Sequence, residues 1–332
     1  MVLGRSTRTT SAPRSPRIIA ACGPGPIPAN STTRNPASGP AMVYRPSSVK
    51  AHSLYLPRNK PAHRVYRAAM NYTGIEDLTV TVDDGVLSLT LNRPDSLNSL
   101  TEAMLKTAAD TLDRAATDPN VKVVRLSGAG RGFSSGAGIS AEDQAAATIS
   151  PDVDPLLAEA NRLVRTIAAL PKPVVAVVHG PAAGVGVSLA LACDIVVASD
   201  KAYFLLAFTK IGLMPDGGAS ALVAAAIGRI RAMRMALLAE RIAAAEALEY
   251  GLVSAVYPHD DLETEVARVI DTLMTGPAVA LRKTKQAINA ATLTELDGAI
   301  DRETEGQWTL LHSRDFVEGT KAFQQRRAAN FT

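Results

Sequence analysis

A single stretch, from Pro171 to Gly218, restricts the fold of this chain more than any other part of its sequence. It holds an apolar strand pattern at Val174–Val178, a turn of small residues, an apolar helix pattern and a second strand pattern at Ile195–Ala198. Apolar runs without polar alternation are typical of parallel strands that are buried on both faces. The stretch therefore predicts the centre of an α/β fold, with Asp216 as a rare acid in apolar surroundings.

The sequence on either side continues the alternation of strands and helices. The segment from Leu78 to Pro94 predicts a β-hairpin with Asp84-Gly85 as its turn. An amphipathic pattern predicts a helix from Thr101, the expected N-cap, to about Thr117. Further strands and helices are predicted at 121–127, 155–169, 184–192 and 252–257. We expect an α/β core over residues 73–265 and a helical C-terminal region over residues 266–332.

The charge of the chain is unevenly distributed. Residues 1–75 contain 11 Lys and Arg and no Asp or Glu, so the net charge of +3 leaves −8 for the remainder. We predict that residues 1–72, rich in Ser, Pro, Arg and Thr, are a disordered basic extension. A transit peptide, a basic arm for an anionic partner and a translation start placed upstream of Met70 all fit; we favour the last. The acidic remainder does not favour nucleic acid as a partner.

Composition also bears on location and on metal binding. The two cysteines, Cys22 and Cys193, are too few for a disulfide framework, and this favours a reducing compartment, so we predict a cytoplasmic protein. Cys193 lies in an apolar helix pattern and is interpreted as a core residue. The sequence has no apolar run of about 18 residues, which predicts no membrane span. It also shows no ligand spacing typical of a metal site, so we predict none.

Two segments, 123–140 and 174–190, share one design, in which a buried strand is followed by a turn of small residues and then a helix start. A helix start leaves backbone N–H groups without intrahelical partners, and small residues let a ligand approach them. Two such N–H groups aimed at one point would form an oxyanion hole.

Other motifs in these segments are weaker. Residues 132–136 match G-x-S-x-G around Ser134, but that motif places its serine directly after a strand, and here four residues intervene. Gly184-Val185-Gly186 resembles the start of a dinucleotide-binding fingerprint, yet Leu189 occupies the third glycine position. His179, which follows a buried strand, is interpreted as a hydrogen-bonded core residue rather than a base.

From about Leu78 to Thr332 the chain resembles the crotonase, or enoyl-CoA hydratase/isomerase, superfamily. The resemblance implies a spiral of ββα units with a helical C-terminal trimerisation region, and homotrimers or homohexamers. It implies an acyl-CoA substrate and no cofactor beyond the coenzyme A that this substrate carries. The motifs occur in the family's order: Leu91-Asn92-Arg93-Pro94 with Leu97-Asn98, Ser127 to Phe133, Ser135-Gly136-Ala137, Pro171-Lys172-Pro173, Leu189 to Asp194, Ile211 to Gly218, Ala244 to Ala247 with Gly251-Leu252-Val253, and Glu318-Gly319 with Ala322-Phe323.

By position, the resemblance implies that the backbone N–H groups of Ala137 and Val185 form the oxyanion hole around the thioester oxygen. The family commonly has glycine at the second place, so valine should narrow the pocket. The aspartate that often follows the first donor is Gly138 here, and a frequent lysine is replaced near Ser140. The expected substrate-binding residues are Leu97, Gly138, Ile139, Ser140, Ser188, Phe208, Phe323 and Arg326.

The acids of the site depart from the hydratase pattern. Hydratases of the superfamily use two glutamates, and those places hold Ser188 and Phe208 here. The remaining acid is Asp216, at a place where the isomerase branch has its catalytic base. Asp216 could instead cap the helix predicted to begin near Gly217.

The leading hypothesis is therefore an enoyl-CoA isomerase that moves a C3 double bond to C2 through a dienolate, with Asp216 carrying the proton. An enoyl-CoA hydratase of fatty acid β-oxidation is the first alternative. A non-catalytic acyl-CoA-binding protein is the second, because both glutamates are missing. A serine hydrolase using Ser134 is the most distant.

Overall fold

The computed structural model describes residues 70–138 and 154–331 of the 332-residue chain. Of the sequence predictions, the extension over residues 1–72 falls almost wholly outside the described residues. So do two of the expected substrate-binding residues, Ile139 and Ser140.

A six-stranded sheet forms the centre of the described residues. Its first two strands are antiparallel and the others run parallel, as buried strands joined by helices do. In spatial order the strands are β1 (Leu78–Asp83), β2 (Val86–Leu91), β3 (Val123–Gly128), β4 (Val174–Val178), β6 (Ile195–Ser199) and β9 (Ala255–Tyr257).

The hairpin predicted from Asp84-Gly85 is confirmed. Asp83 pairs with Val86, and the two residues between them both have positive φ, 41° at Asp84 and 85° at Gly85. A two-residue turn of this kind matches the right-handed twist of the strands, and Asp-Gly is one of the pairs that adopt it most readily.

A second sheet of three short strands was not predicted. Its strands are β5 (Pro181–Ala183), β7 (Tyr203–Leu205) and β8 (Ile242–Ala243), and β7 lies in the middle. Each of β4 and β6 is thus followed by a short strand in the second sheet and then by a helix. This repeated order gives the ββα units that were expected.

The helices are also close to prediction. Thr101 caps α1 by accepting a hydrogen bond from the N–H of Met104 (3.3 Å), as expected. Helix α4 is interrupted at Gly228, where φ is 77°. The helices are α1 (Glu102–Thr117), α2 (Pro155–Ala169), α3 (Val185–Ala192), α4 (Ala219–Leu238), α5 (Ala244–Tyr250), α6 (Leu262–Thr275), α7 (Ala278–Thr292), α8 (Leu296–Leu311) and α9 (Arg314–Gln324).

The middle strands of the central sheet, β3, β4 and β6, are buried on both faces. One face carries the main core, which includes α1, α2 and α3 and also contains Cys193, buried as predicted. On the other face, Leu262 and Val266 of α6 pack against valines of β3, β4 and β6. The predicted boundary after residue 265 falls inside α6. None of the helices in the described ranges is both long and apolar enough to cross a membrane.

Candidate active site

Asn98 organises the loop that follows β3. Its side chain is fully buried, and its Nδ2 donates hydrogen bonds to the carbonyl oxygens of Ala129 (2.9 Å), Gly132 (2.8 Å) and Phe133 (3.2 Å). Its Oδ1 accepts from the N–H of Arg93 at 2.9 Å. Asn98 has a φ of 56°, a conformation that asparagine tolerates better than most residues. One amide therefore fixes the course of the loop that leads to Ala137.

The loop after β3 lies directly against the loop after β4. Ser134 pairs with Ala182, and the N–H of Ala183 donates to the Ser134 carbonyl oxygen at 2.8 Å. Gly136 has a φ of 89°, and a Cβ there would lie 2.8 Å from the Ala183 carbonyl oxygen and 3.3 Å from Cα of Gly184. This contact between two backbones requires glycine at position 136.

The two predicted oxyanion donors are therefore brought together. Ala137 directly follows Gly136, and Val185 directly follows Gly184 at the start of α3. Within the described part of the chain, neither the Ala137 nor the Val185 N–H donates a hydrogen bond to another residue. Gly184 caps α3 without a side chain, so the positive end of the helix stays open. The arrangement can hold an oxygen that gains negative charge.

Asp216 is held against the first turns of α3. The Ser188 hydroxyl donates to the Asp216 carbonyl oxygen at 2.8 Å. A Cβ on Gly217, whose φ is 65°, would lie 3.1 Å from Cβ of Ser188 and 3.7 Å from Cγ1 of Val185. The acid predicted from sequence and one predicted donor thus lie on neighbouring segments.

The Asp216 carboxyl group is buried, with 7% of the residue exposed. Its Oδ2 accepts a hydrogen bond from Nε2 of Gln307 at 2.6 Å, whereas its buried Oδ1 has no hydrogen-bond partner among the described residues. The pKa of Asp216 is raised to about 7, mainly by burial; the hydrogen bond from Gln307 opposes this rise, and the charges of Glu303 and Asp154 add to it. This carboxyl group can both take and return a proton near neutral pH.

The capping alternative for Asp216 is wrong. Helix α4 begins at Ala219, whose N–H donates to the backbone carbonyl oxygen of Asp216 and not to its side chain. Two other N–H groups at this helix start are satisfied by Glu303, which lies far along the chain. Glu303 accepts from the N–H of Gly218 at 2.6 Å and from the N–H of Ser220 at 2.8 Å. Because another carboxylate fills the capping role, the side chain of Asp216 is not engaged in it.

Two residues of α8, Glu303 and Gln307, were missed by sequence reasoning. Both are buried, four residues apart on one face of the helix. The sequence did carry a signal, because Leu296 and Ile300 extend this buried face in the N-terminal direction. Two polar side chains continuing an apolar stripe indicate polar partners on the facing segment, although they do not say which.

The remaining predicted residues of this region divide into two groups. Phe208 is buried, and its Cζ lies 3.7 Å from the position of a Cβ on Gly184, so its ring covers the start of α3. Leu97 packs against the loop after β3, and the N–H of Gly138 donates to the Leu100 carbonyl oxygen at 3.2 Å. Phe323, 57% exposed, and Arg326 instead lie on the surface at the end of α9.

The serine hydrolase interpretation is wrong. Ser134 is fully buried, its hydroxyl donates to the Asn98 carbonyl oxygen at 2.9 Å, and the same oxygen accepts from the N–H of Gly136 at 3.1 Å. A hydroxyl held in this way supports the loop. His179 hydrogen-bonds through Nε2 to the Gly130 carbonyl oxygen at 2.9 Å, as expected, but it is half-buried and lies outside both hydrophobic cores, so its interpretation as a core residue is wrong. No group of His, Cys, Asp or Glu with the arrangement of a metal site occurs in residues 70–138 and 154–331.

Known proteins share this arrangement of strands and helices. Residues 81–332 match the family model for enoyl-CoA hydratase/isomerase. Over 252 residues, 76% of this chain and 96% of the relative, the chain is 39% identical to the 1,2-epoxyphenylacetyl-CoA isomerase of Escherichia coli strain K12. It is 35% identical over 260 residues to the 2,3-dehydroadipyl-CoA hydratase of the same strain, covering 77% of this chain and 99% of that protein.

A solved structure extends the likeness to the fold. The crystal structure of an enoyl-CoA hydratase from Mycobacterium avium subsp. paratuberculosis K-10 is 66% identical and superposes with a TM-score of 0.73, covering 78% of this chain and 100% of that one. The α/β crotonase fold predicted from the motifs is thereby confirmed. With a family model that matches most of its length, the chain belongs to the enoyl-CoA hydratase/isomerase family.

Proposed function

We propose that the protein is an enoyl-CoA isomerase that shifts a C3 double bond to C2, with Asp216 as the group that moves the proton. The observation that carries this proposal is a buried carboxylate whose Oδ1 has no hydrogen-bond partner among the described residues, on the segment next to a helix start with an open N–H group. The isomerase name of the Escherichia coli relative described above supports it.

The reaction needs only a proton transfer. Asp216 takes a proton from C2 of a 3-enoyl thioester, and the electron pair moves into the thioester to give a dienolate. The N–H groups of Ala137 and Val185 stabilise the negative oxygen. The carboxyl group then returns the proton to C4, which leaves the double bond between C2 and C3. Because no electrons are gained or lost, no cofactor is required beyond the coenzyme A of the substrate.

The pKa of Asp216, raised to about 7, suits this role. A base whose pKa lies near the working pH is available in its carboxylate form, and its acid form is strong enough to give the proton back. A carboxylate with an ordinary pKa near 4 would be a much weaker base for a carbon acid.

The two sites where hydratases of the superfamily have glutamates argue against water addition. Phe208 is buried with its ring against the start of α3, and Ser188 commits its hydroxyl to the Asp216 carbonyl oxygen. Neither group can act as a base for water. A hydratase nevertheless remains the second candidate, because the 66% identical crystal structure and one of the relatives bear hydratase names. It would require Asp216 to activate water alone.

The proposal includes the assembly and location that the sequence motifs implied. We propose a homotrimer or homohexamer that acts on acyl-CoA thioesters in the cytoplasm. The family membership and the two cysteines of the chain support this part of the proposal.

The test is a coupled assay of the purified protein with 3-enoyl-CoA and 2-enoyl-CoA substrates of several chain lengths. We expect isomerisation, and a fall in kcat of about 10²- to 10⁴-fold for Asp216→Asn, since this removes the general base. Asp95→Asn is the matched control, because Asp95 is an exposed aspartate outside the site. Rapid hydration of 2-enoyl-CoA would favour the hydratase. Tight binding of acyl-CoA esters without any turnover would favour the non-catalytic alternative.

A further inference from the structure

Helix α8 supplies two side chains that have opposite effects on the Asp216 carboxyl group. Gln307 and Glu303 lie one helical turn apart, and both are almost fully buried. Neither was identified from the sequence motifs, and neither touches the open N–H groups of the oxyanion site. Their contacts are with Asp216 and with the backbone on either side of it.

The orientation of the Gln307 amide is set by two contacts. Its Nε2 donates to Oδ2 of Asp216 at 2.6 Å, and its Oε1 accepts from the N–H of Met214 at 3.3 Å. Turning the amide over would place an oxygen against the carboxylate and an NH₂ group against an N–H. Gln307 therefore donates to Asp216, and within residues 70–138 and 154–331 Oδ1 of that carboxyl group has no partner.

Glu303 is fixed by the start of α4. Both its oxygens accept backbone N–H groups, those of Gly218 and Ser220, which favour its charged form against the burial that raises its pKa. It thus holds a carboxyl group against the backbone that directly follows Asp216, and its charge raises the pKa of Asp216. The other acid that acts on Asp216 is Asp154 at the start of α2, whose Oδ1 accepts from the N–H of Leu157.

We infer that Gln307 is a positioning residue for Asp216, which holds Oδ2 so that Oδ1 carries the proton, and that Glu303, bound to the N–H groups of Gly218 and Ser220, sets a second carboxyl group beside the Asp216 segment. This inference rests on the proposed function, because it assigns the oxygen that reacts. It predicts opposite effects of the two side chains. The Gln307 hydrogen bond stabilises the carboxylate, whereas the charge of Glu303 destabilises it.

The experiment is the pH profile of kcat/KM for isomerisation, whose acidic limb reports the pKa of the free enzyme's base. Gln307→Met should move this limb up by about one pH unit, because a hydrogen bond to a charged group is lost. Glu303→Gln should move it down, because a neighbouring negative charge is removed. Glu305→Gln is the matched control: it makes the same change at an exposed position of the same helix and should leave the limb in place.

A second variant at position 307 keeps the inference testable if Gln307→Met does not fold. Gln307→Glu has the same size as the wild-type residue and sets a carboxyl group beside Oδ2, so the two acids should share a proton and the limb should move up further. The inference is overturned if the acidic limbs of the pH profiles stay in place, or if they move in the same direction for Gln307→Met and Glu303→Gln. Activity that survives in Asp216→Asn overturns the proposed function instead, so the two failures can be told apart.

Discussion

The two carboxylate oxygens of Asp216 have different surroundings, although their chemistry is the same. Gln307 holds one oxygen, and the other is buried without a partner in the described residues. A buried oxygen without a partner destabilises the folded state, because a polar group that leaves water without forming a new hydrogen bond raises the free energy of that state. We interpret this cost as part of the function, because the oxygen that lacks a partner is the one available to a substrate proton.

The raised pKa of Asp216 predicts how stability depends on pH. The folded protein holds the Asp216 proton with a pKa of about 7, against 3.8 for an ordinary aspartate. The stabilisation from this proton is fully present below about pH 4 and is lost as the pH rises through 7. Asp216→Asn removes the charge, so it should be more stable than the wild type above pH 7, by up to about 4 kcal/mol at about 1.4 kcal/mol per pKa unit.

Urea denaturation at pH 4.5, 6 and 8 checks this expectation. The difference between variant and wild type should widen with pH, and Asp95→Asn should show no such trend. Equal differences at all three values would mean that Asp216 is not buried in a charged form at high pH.

Among the elements, those with a local cause were predictable from sequence. The hairpin follows from Asp84-Gly85, α1 from its cap and apolar stripe, and β4 from five consecutive apolar residues. The strands of the second sheet have two or three residues each, too few for a periodic pattern, and exist because distant segments pair. Gln307 was missed for the same reason, because its contact with Asp216 joins two segments that are far apart in the sequence.

The open end of helix α3 allows a test of the Val185 N–H as an oxyanion donor. Val185 is the first residue of α3, a position at which proline is well tolerated in helices. Its predecessor, Gly184, has no Cβ to clash with a proline ring. Val185→Pro should therefore remove the N–H and keep the helix. We expect kcat to fall about 10²- to 10³-fold, the usual cost of one lost oxyanion donor.

Val185→Ala is the control for this helix experiment, because it changes the side chain and keeps the N–H. It should retain activity within a few-fold, and both variants should give the circular dichroism spectrum of the wild type. If Val185→Pro folds and stays as active as Val185→Ala, the N–H of this residue does not stabilise the dienolate.

Over the whole molecule, the groups assigned to the site lie far from the N-terminal extension in sequence. Among the described residues, the main core begins at Leu78, and the hydrogen bonds that shape the site join residues between Arg93 and Gln307. The excess of basic residues, in contrast, lies in residues 1–75. The negative net charge of residues 76–332 therefore describes the part of the chain that carries the proposed site better than the net charge of the whole chain does.

A chain that begins at Met70 should accordingly keep the fold, the activity and the number of subunits of the full chain. Its melting temperature should change little, because residues 1–69 are rich in Ser, Pro, Arg and Thr and lack the sustained apolar periodicity of a segment that packs in a core. Sedimentation velocity should give the same number of subunits for both chains, three or six. Isomerase kcat and KM should agree within a factor of two. A loss of subunits or of activity in the shorter chain would show that the basic segment takes part in assembly or in binding the polyanionic coenzyme.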